Sequence, residues 1–281
     1  MLGAMACFSS MSIFIRLSAQ EIPVFEVVFF RNFLAVLLML PWLTRHGLGA
    51  LHTKRIGLLT TRSGVNVIGM FAGFAAVTMI PLAEATALGF TAPLWSTIGA
   101  ALVLGEVIRM RRVTALAIGF LGVLIVLRPG VEAVSLGAVL ALSNAFLIAV
   151  TTLIVKRLTS TERPDAIVLW MALLQTPMSL IPALFVWENP ALMTWVWLWC
   201  LAIAGTLGHL CWTRAYAASE VSQLQPLEFI KLPMIGLFAF LAFAELPSIW
   251  TWVGGTVIFC STAYISIREA QLAKQARKQR A

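Results

Sequence analysis

The apolar positions of this chain come in long runs with few or no charges, at about 1–17, 24–43, 56–79, 84–105, 113–127, 134–155, 165–186, 193–213, 221–244 and 248–267. A helix needs roughly 20 apolar residues to cross the hydrocarbon core of a bilayer, so the pattern predicts ten transmembrane helices. The fifth run is the shortest, and Arg112 and Arg128 at its ends are long enough to snorkel to the interfaces. Turn chemistry falls where the runs break: Pro23 after the first, Arg128-Pro129-Gly130 after the fifth, Asn189-Pro190 after the seventh. The linkers are too short for a soluble domain. The first run lacks a basic leading segment and is not followed by a hydrophilic mature chain, so it is read as a helix and not a signal peptide.

Composition agrees with this pattern. Of 281 residues, 60% are hydrophobic and 11% charged, with a mean hydropathy of +0.92. A soluble domain carries about 25% charged residues, so a soluble enzyme and a disordered chain are both excluded. The net charge of +8 does not point to nucleic acid, because its distribution follows the loops. With both termini cytoplasmic, fifteen of the lysines and arginines fall on the inner side, against Arg16 and Arg128 outside; Arg31, Arg62 and Lys231 remain within the runs. That asymmetry predicts an inner-membrane protein with both termini inside. The basic tail then answers to topology and anionic lipid. The four cysteines (Cys7, Cys200, Cys211, Cys260) sit in apolar runs without metal-ligand spacing.

The two halves of the chain align at an offset near 140. Arg16-Leu17-Ser18-Ala19-Gln20-Glu21-Ile22-Pro23 matches Arg157-Leu158-Thr159-Ser160-Thr161-Glu162-Arg163-Pro164, with identity at Arg, Leu, Glu and Pro. Pro93 corresponds to Pro233, and Glu106 to Glu245. Each half holds five runs, an odd number, so the second half enters the membrane upside down. The expected architecture is all-α: ten transmembrane helices as a 5+5 inverted repeat, residues 1–130 and 131–270, with a basic cytoplasmic tail at 271–281. The alignment also places the start of the first helix about five residues before Met1, so we expect the native helix to begin upstream. Inverted repeats are a signature of secondary transporters, with the binding site near the midplane between the repeats.

Several ordered segments carry a family resemblance. Val28-Phe29-Phe30-Arg31-Asn32, Pro81-Leu82-Ala83-Glu84-Ala85-Thr86-Ala87-Leu88, Thr91-Ala92-Pro93, Leu104-Gly105-Glu106, Gly119-Phe120-Leu121-Gly122-Val123 and Arg214-Ala215-Tyr216-Ala217 together resemble the drug/metabolite transporter superfamily, EamA type. One departure is Ala244-Glu245, where the first half has Gly105-Glu106. The resemblance implies a ten-helix carrier for small metabolites with a cavity between the repeats. It does not choose among amino acids, nucleobases, vitamins, nucleotide-like cofactors or drugs.

Polar groups at membrane depth are costly, about 2.5–3.5 kcal/mol for a central charge on insertion scales, and default to function. The substrate-binding candidates on that ground are Lys231, Glu228, Arg31, Asn66, Trp95, Thr91 and Asn144. Lys231 and Glu228 are three apart and share a helix face; either they meet a zwitterionic or anionic group or they neutralise each other. Arg31 meets a substrate carboxylate or clamps a carbonyl or Glu26, which lies five residues earlier at an imperfect helical spacing. Asn66 is the cavity candidate of the third span, and its neighbour Arg62 reads as an interfacial anchor. Thr91 and Trp95 offer a hydroxyl and a stacking plane. Ser143 and Asn144 either face the cavity or join helices. Pro93 and Pro233 are candidate gating bends, and Trp212 and Tyr216 a candidate inner gate. Glu228, Glu84 and His209 are candidates for proton coupling, with a helix-start role for Glu84 and plain packing for His209 as the alternatives.

No nucleophile with its base, paired aspartates or metal ligands are visible, which argues against an enzyme. The expected function is a carrier, monomeric or homodimeric, that moves a small polar or zwitterionic metabolite such as an amino acid by alternating access. Protons are the candidate coupling ion, and no cofactor or metal is called for. The alternative is a carrier of a vitamin or nucleotide-like cofactor, such as riboflavin or S-adenosylmethionine, or a drug exporter. An intramembrane enzyme or channel is the rival class.

Overall fold

The computed structural model describes residues 1–47, 51–92, 94–95, 98, 110–128, 134–159, 161–218 and 230–280. Within them the chain forms ten helices: α1 (Leu2–Ser18), α2 (Val24–His46), α3 (Ile56–Met79), α4 (Leu82–Gly89), α5 (Met110–Leu127), α6 (Leu136–Leu158), α7 (Pro164–Leu184), α8 (Leu192–Ala218), α9 (Lys231–Phe243) and α10 (Ile249–Arg280). There is no strand among the described residues. By length and composition, Val24–His46, Leu136–Val155, Pro164–Leu184 and Leu192–Ala215 are each apolar enough to cross a membrane. The outward face of the bundle is apolar too: Ile118, Leu121 and Leu124, spaced at one turn of α5, are each about half exposed. A soluble helix would place charge there.

The predicted runs and the observed helices differ where proline or helix propensity intervenes. The fourth run was expected to continue through residue 105. Instead α4 stops at Gly89, Phe90 and Thr91 form a turn, and helix is present again at 92, 94, 95 and 98. Pro93 stands just beyond, and a proline has no N–H to bond the carbonyl four residues back. The Thr91 N–H bonds Leu88 in a tightened turn at 3.1 Å. At the other end of the chain, α10 runs into the basic tail instead of stopping at 267. The tail is rich in Ala, Gln, Lys and Arg, all good helix formers.

The helix contacts have the symmetry of the repeat. Replacing each helix by the one five along exchanges α3–α6 with α1–α8, α2–α8 with α3–α7, α1–α9 with α4–α6 and α2–α3 with α7–α8; all eight pairs pack together. The self-related pairs α2–α7, α4–α9 and α5–α10 also pack. Two hydrogen bonds repeat this relation at opposite ends of the molecule. Thr53 donates to Glu162 at 2.7 Å, and Thr194, 141 residues further on, donates to Glu21, 141 residues before Glu162. Most of the helix contacts thus follow the repeat read from the sequence, while among the described residues α1–α3, α3–α4, α4–α5 and α4–α10 are more extensive than their counterparts.

Ala244 explains the one departure from the repeat. It ends α9 in the left-handed region at φ 55°, where an L-residue is strained and Gly is not. Ala244→Gly is therefore expected to raise stability by about 1 kcal/mol, read as a higher unfolding midpoint in detergent; an unchanged or lowered midpoint would mean the cap is relaxed.

Candidate functional site

The interior of α2, α3, α7 and α8 holds polar side chains where an apolar core would otherwise form. Arg31 and Asn32, a third of the way into α2, are 1% and 0% exposed. The Arg31 Nη1 donates to Asn32 Oδ1 at 2.9 Å, and the Asn32 amide donates to Ser179 Oγ on α7 at 3.3 Å. One turn earlier on α7 is Gln175, whose carbonyl accepts from Ser179 Oγ at 2.7 Å. Pro177 lies between them and has no N–H to offer the carbonyl of Leu173, four residues back. From α3 come Arg62, 3% exposed, and Ser63 one residue on. Arg31, Arg62 and His209 of α8 lie within electrostatic reach of one another. Room for the Arg31 guanidinium is provided by Gly205 on α8, where a Cβ would stand 3.0 Å from Arg31 Nε.

This cluster is only partly satisfied. The Nε of Arg31, the Nε and Nη1 of Arg62, the Asn66 Nδ2, both amide atoms of Gln175 and the Trp170 indole N–H are buried without a hydrogen-bond partner. Arg16 pairs with Glu245 and Arg214 with Asp165, whereas neither Arg31 nor Arg62 forms an ion pair with a carboxylate among the described residues. Burying an uncompensated charge costs several kcal/mol. A core that merely held helices together gains nothing from it; one that waits for a polar solute does.

A second feature lies along α6. Trp95 packs edge-on against Phe120 and Phe146, with ring centroids at 5.3 and 5.8 Å. With Val139, Leu142, Ser143, Phe146 and Leu147 it lines an open cleft of about 420 Å³. The Trp95 indole N–H is another buried donor without a partner.

The predicted residues divide between these places. Arg31 belongs to the first cluster and Asn66 shares its helix with Arg62; Trp95 belongs to the cleft. Arg62 is a correction, since it is buried and not anchored at an interface. Asn144 sits in the α3–α6 contact, where its Nδ2 and Oδ1 lie 2.5 and 3.2 Å from where Cβ atoms of Gly73 and Gly69 would be. That position fits the helix-joining alternative. The Thr91 hydroxyl is held by the Leu88 carbonyl at 2.7 Å. Lys231, the first residue of α9, is half-buried, Pro233 is exposed, and Glu84 stands half-buried in the first turn of α4. His209 packs edge-on against Phe8 at 5.2 Å. Trp212 is half-buried in α8, and Tyr216 belongs to the same helix. Pro93, Glu228 and Glu106 lie outside the described residues. Sequence reasoning passed over Gln175 and Ser179; a polar pair four apart around Pro177, inside an apolar run, was the available signal.

Away from the cluster, Arg16 ties three elements together. Its Nε donates to the Val77 carbonyl at 2.6 Å, its Nη2 to the Ile80 carbonyl and its Nη1 to Glu245. The second carboxylate oxygen of Glu245 accepts from the Leu82 N–H at 3.2 Å. The end of α1, the α3–α4 turn and the segment after α9 are thereby clamped. At the opposite end, Arg214 bonds Asp165 at 2.9–3.0 Å across α8 and α7.

Comparison with known proteins gives the same answer on class. The EamA-like transporter family model matches residues 1–128 and again 135–267. A riboflavin transporter of Vibrio cholerae serotype O1 is 32% identical over 247 residues, 87% of this chain and 83% of that protein. A riboflavin transporter of Rhizobium johnstonii is 32% identical over 250 residues, 88% of this chain and 82% of that protein. An S-adenosylmethionine uptake transporter of Rickettsia felis is 26% identical over 245 residues, 87% of this chain and 83% of that protein. A crystal structure superposes with a TM-score of 0.66 at 16% identity, over 96% of this chain and 98% of that one, which is a likeness of fold.

Proposed function

The chain belongs to the EamA-like transporter family, and from that premise we propose that it carries a vitamin or nucleotide-like cofactor, of the riboflavin kind, across the inner membrane by alternating access. The observation that carries the choice is the likeness over most of the chain to riboflavin transporters, at 32% identity. This favours the cofactor over an amino acid. The buried cluster supports it. Two guanidinium groups without a carboxylate among the described residues suit a neutral or anionic solute better than the sulfonium cation of S-adenosylmethionine.

Alternating access follows from the symmetry. Two similar halves of opposite orientation have two arrangements of similar energy, each closing one face. In this scheme the Arg16–Glu245 ion pair is the clamp that closes one face, the outer one with both termini cytoplasmic. Arg157 and Glu106 hold the same places in the other repeat and form the opposing clamp in this scheme. Glu84, Glu228 and His209 remain the residues through which a proton would couple, and Trp95 the ring on which an aromatic solute would stack.

Counterflow in proteoliposomes tests the function. Vesicles loaded with riboflavin should accumulate labelled riboflavin in a saturable way and return it chemically unchanged, whereas vesicles loaded with amino acids should not exchange it. Exchange of amino acids with no exchange of flavin would reverse the choice of solute.

A further inference from the structure

Gln175 is the least explained side chain in the molecule. It is fully buried, 0% exposed, yet both its amide nitrogen and its amide oxygen lack a partner. An amide that only filled space would be costly there, because each buried polar atom has given up its bond to water and gained none in return. A primary amide offers one donor and one acceptor side by side in a plane. The chemical group that meets both at once is a cis-amide or imide edge, N–H beside C=O, which pairs with it through two parallel hydrogen bonds.

The neighbours of Gln175 complete the pattern. Its own turn is tied through Ser179 to Asn32 and so to Arg31, and Arg62 on the adjoining α3 lies within electrostatic reach of Arg31. Both guanidiniums have buried N–H groups without acceptors. An imide has two carbonyls flanking one N–H, that is, acceptor, donor, acceptor. We propose that Gln175 reads the N–H and one carbonyl of an imide edge on the substrate ring, while Arg31 and Arg62 donate to its carbonyl oxygens. This rests on the reading of the protein as a carrier of riboflavin-type cofactors, since the flavin ring bears such an edge; uracil-type rings share it.

N3-methylation separates this inference from that reading. Riboflavin, 3-methylriboflavin, uridine and 3-methyluridine are offered as competitors and as counterflow substrates to the wild type and to Gln175→Leu, with folding followed by size-exclusion profile. In the wild type, 3-methylriboflavin should compete at least about tenfold more weakly than riboflavin, since a site built to hydrogen-bond a group rejects the analogue that lacks it. In Gln175→Leu that preference should vanish. Equal competition by the two flavins, or a preference kept by folded Gln175→Leu, overturns the inference and leaves the carrier of flavins standing. Should Gln175→Leu not fold, Gln175→Met, which keeps the length of the side chain and loses both the acceptor and the donor of the amide, replaces it under the same criterion. Exchange of uridine but not of flavin, sensitive to N3-methylation, upholds the inference and overturns the flavin reading. Exchange of neither ring overturns both.

Discussion

Arg31→Met should reduce transport by about 100-fold and leave the protein as stable as before, or more so. The two effects have opposite signs for one reason. Arg31 is buried at 1% exposure with Asn32 as its hydrogen-bonding partner and no carboxylate among the described residues. In the empty protein its charge is therefore a cost, and exchange of a buried ion for an apolar group of similar volume is often neutral or stabilising. With solute bound, the same guanidinium supplies charge-assisted hydrogen bonds worth about 1.5–3 kcal/mol each, enough for roughly 10–100-fold apiece. Counterflow rate and thermal midpoint, measured on one preparation, check both signs. A fall in the midpoint with transport retained in the folded fraction would make Arg31 a structural clamp, the alternative its sequence position left open. Gly205→Ala should act in the same direction more weakly, because its Cβ would press on the Arg31 side chain at 3.0 Å.

The largest effect on folding is expected at Gly254. There α5 and α10 cross with backbone against backbone: a Cβ on Gly254 would lie 2.7 Å from the Gly122 carbonyl oxygen and 3.0 Å from the Val126 nitrogen. A Cβ on Gly122 would in turn lie 2.9 Å from the Gly254 carbonyl oxygen. Side chains can turn aside from such contacts, but a helix backbone moves only as a whole. Small residues at a crossing let helices in a membrane approach closely, where packing substitutes for the hydrophobic effect. Gly254→Ala should cost about 1–3 kcal/mol, and Gly254→Leu should leave no folded protein by size exclusion. The control is Gly64→Ala in α3, where a Cβ meets nothing within 4 Å and helix propensity alone should add up to about 1 kcal/mol. Equal behaviour of the two alanine variants would show that the α5–α10 crossing has slack.

Ten apolar runs, the turns between them and a repeat at an offset near 140 were legible in the sequence, and the helices follow them with two departures of local cause. These features are written along one dimension: run length sets whether a helix spans, and proline and glycine set where it breaks. Arg31 could be singled out in the same way, since a charge inside an apolar run is visible without knowing its neighbours. What a sequence of apolar runs does not contain is azimuth. With an apolar residue on nearly every side of a helix, nothing local says which side faces lipid and which faces the other repeat. Arg62 was thus placed at an interface by its position along α3, and only the packing of α3 against α2 and α7 turned it inward beside Arg31. Asn144 had a depth suited to a cavity, and only the seat between Gly69 and Gly73 put it in a helix contact. Gln175 and Ser179 drew no notice as neutral groups in an apolar run, until the α2–α7 contact brought them to Asn32. The number and extent of the spans could therefore be read from the sequence alone, while the company each polar side chain keeps was decided by helix packing, because that depends on rotations that residues distant in the chain impose on one another.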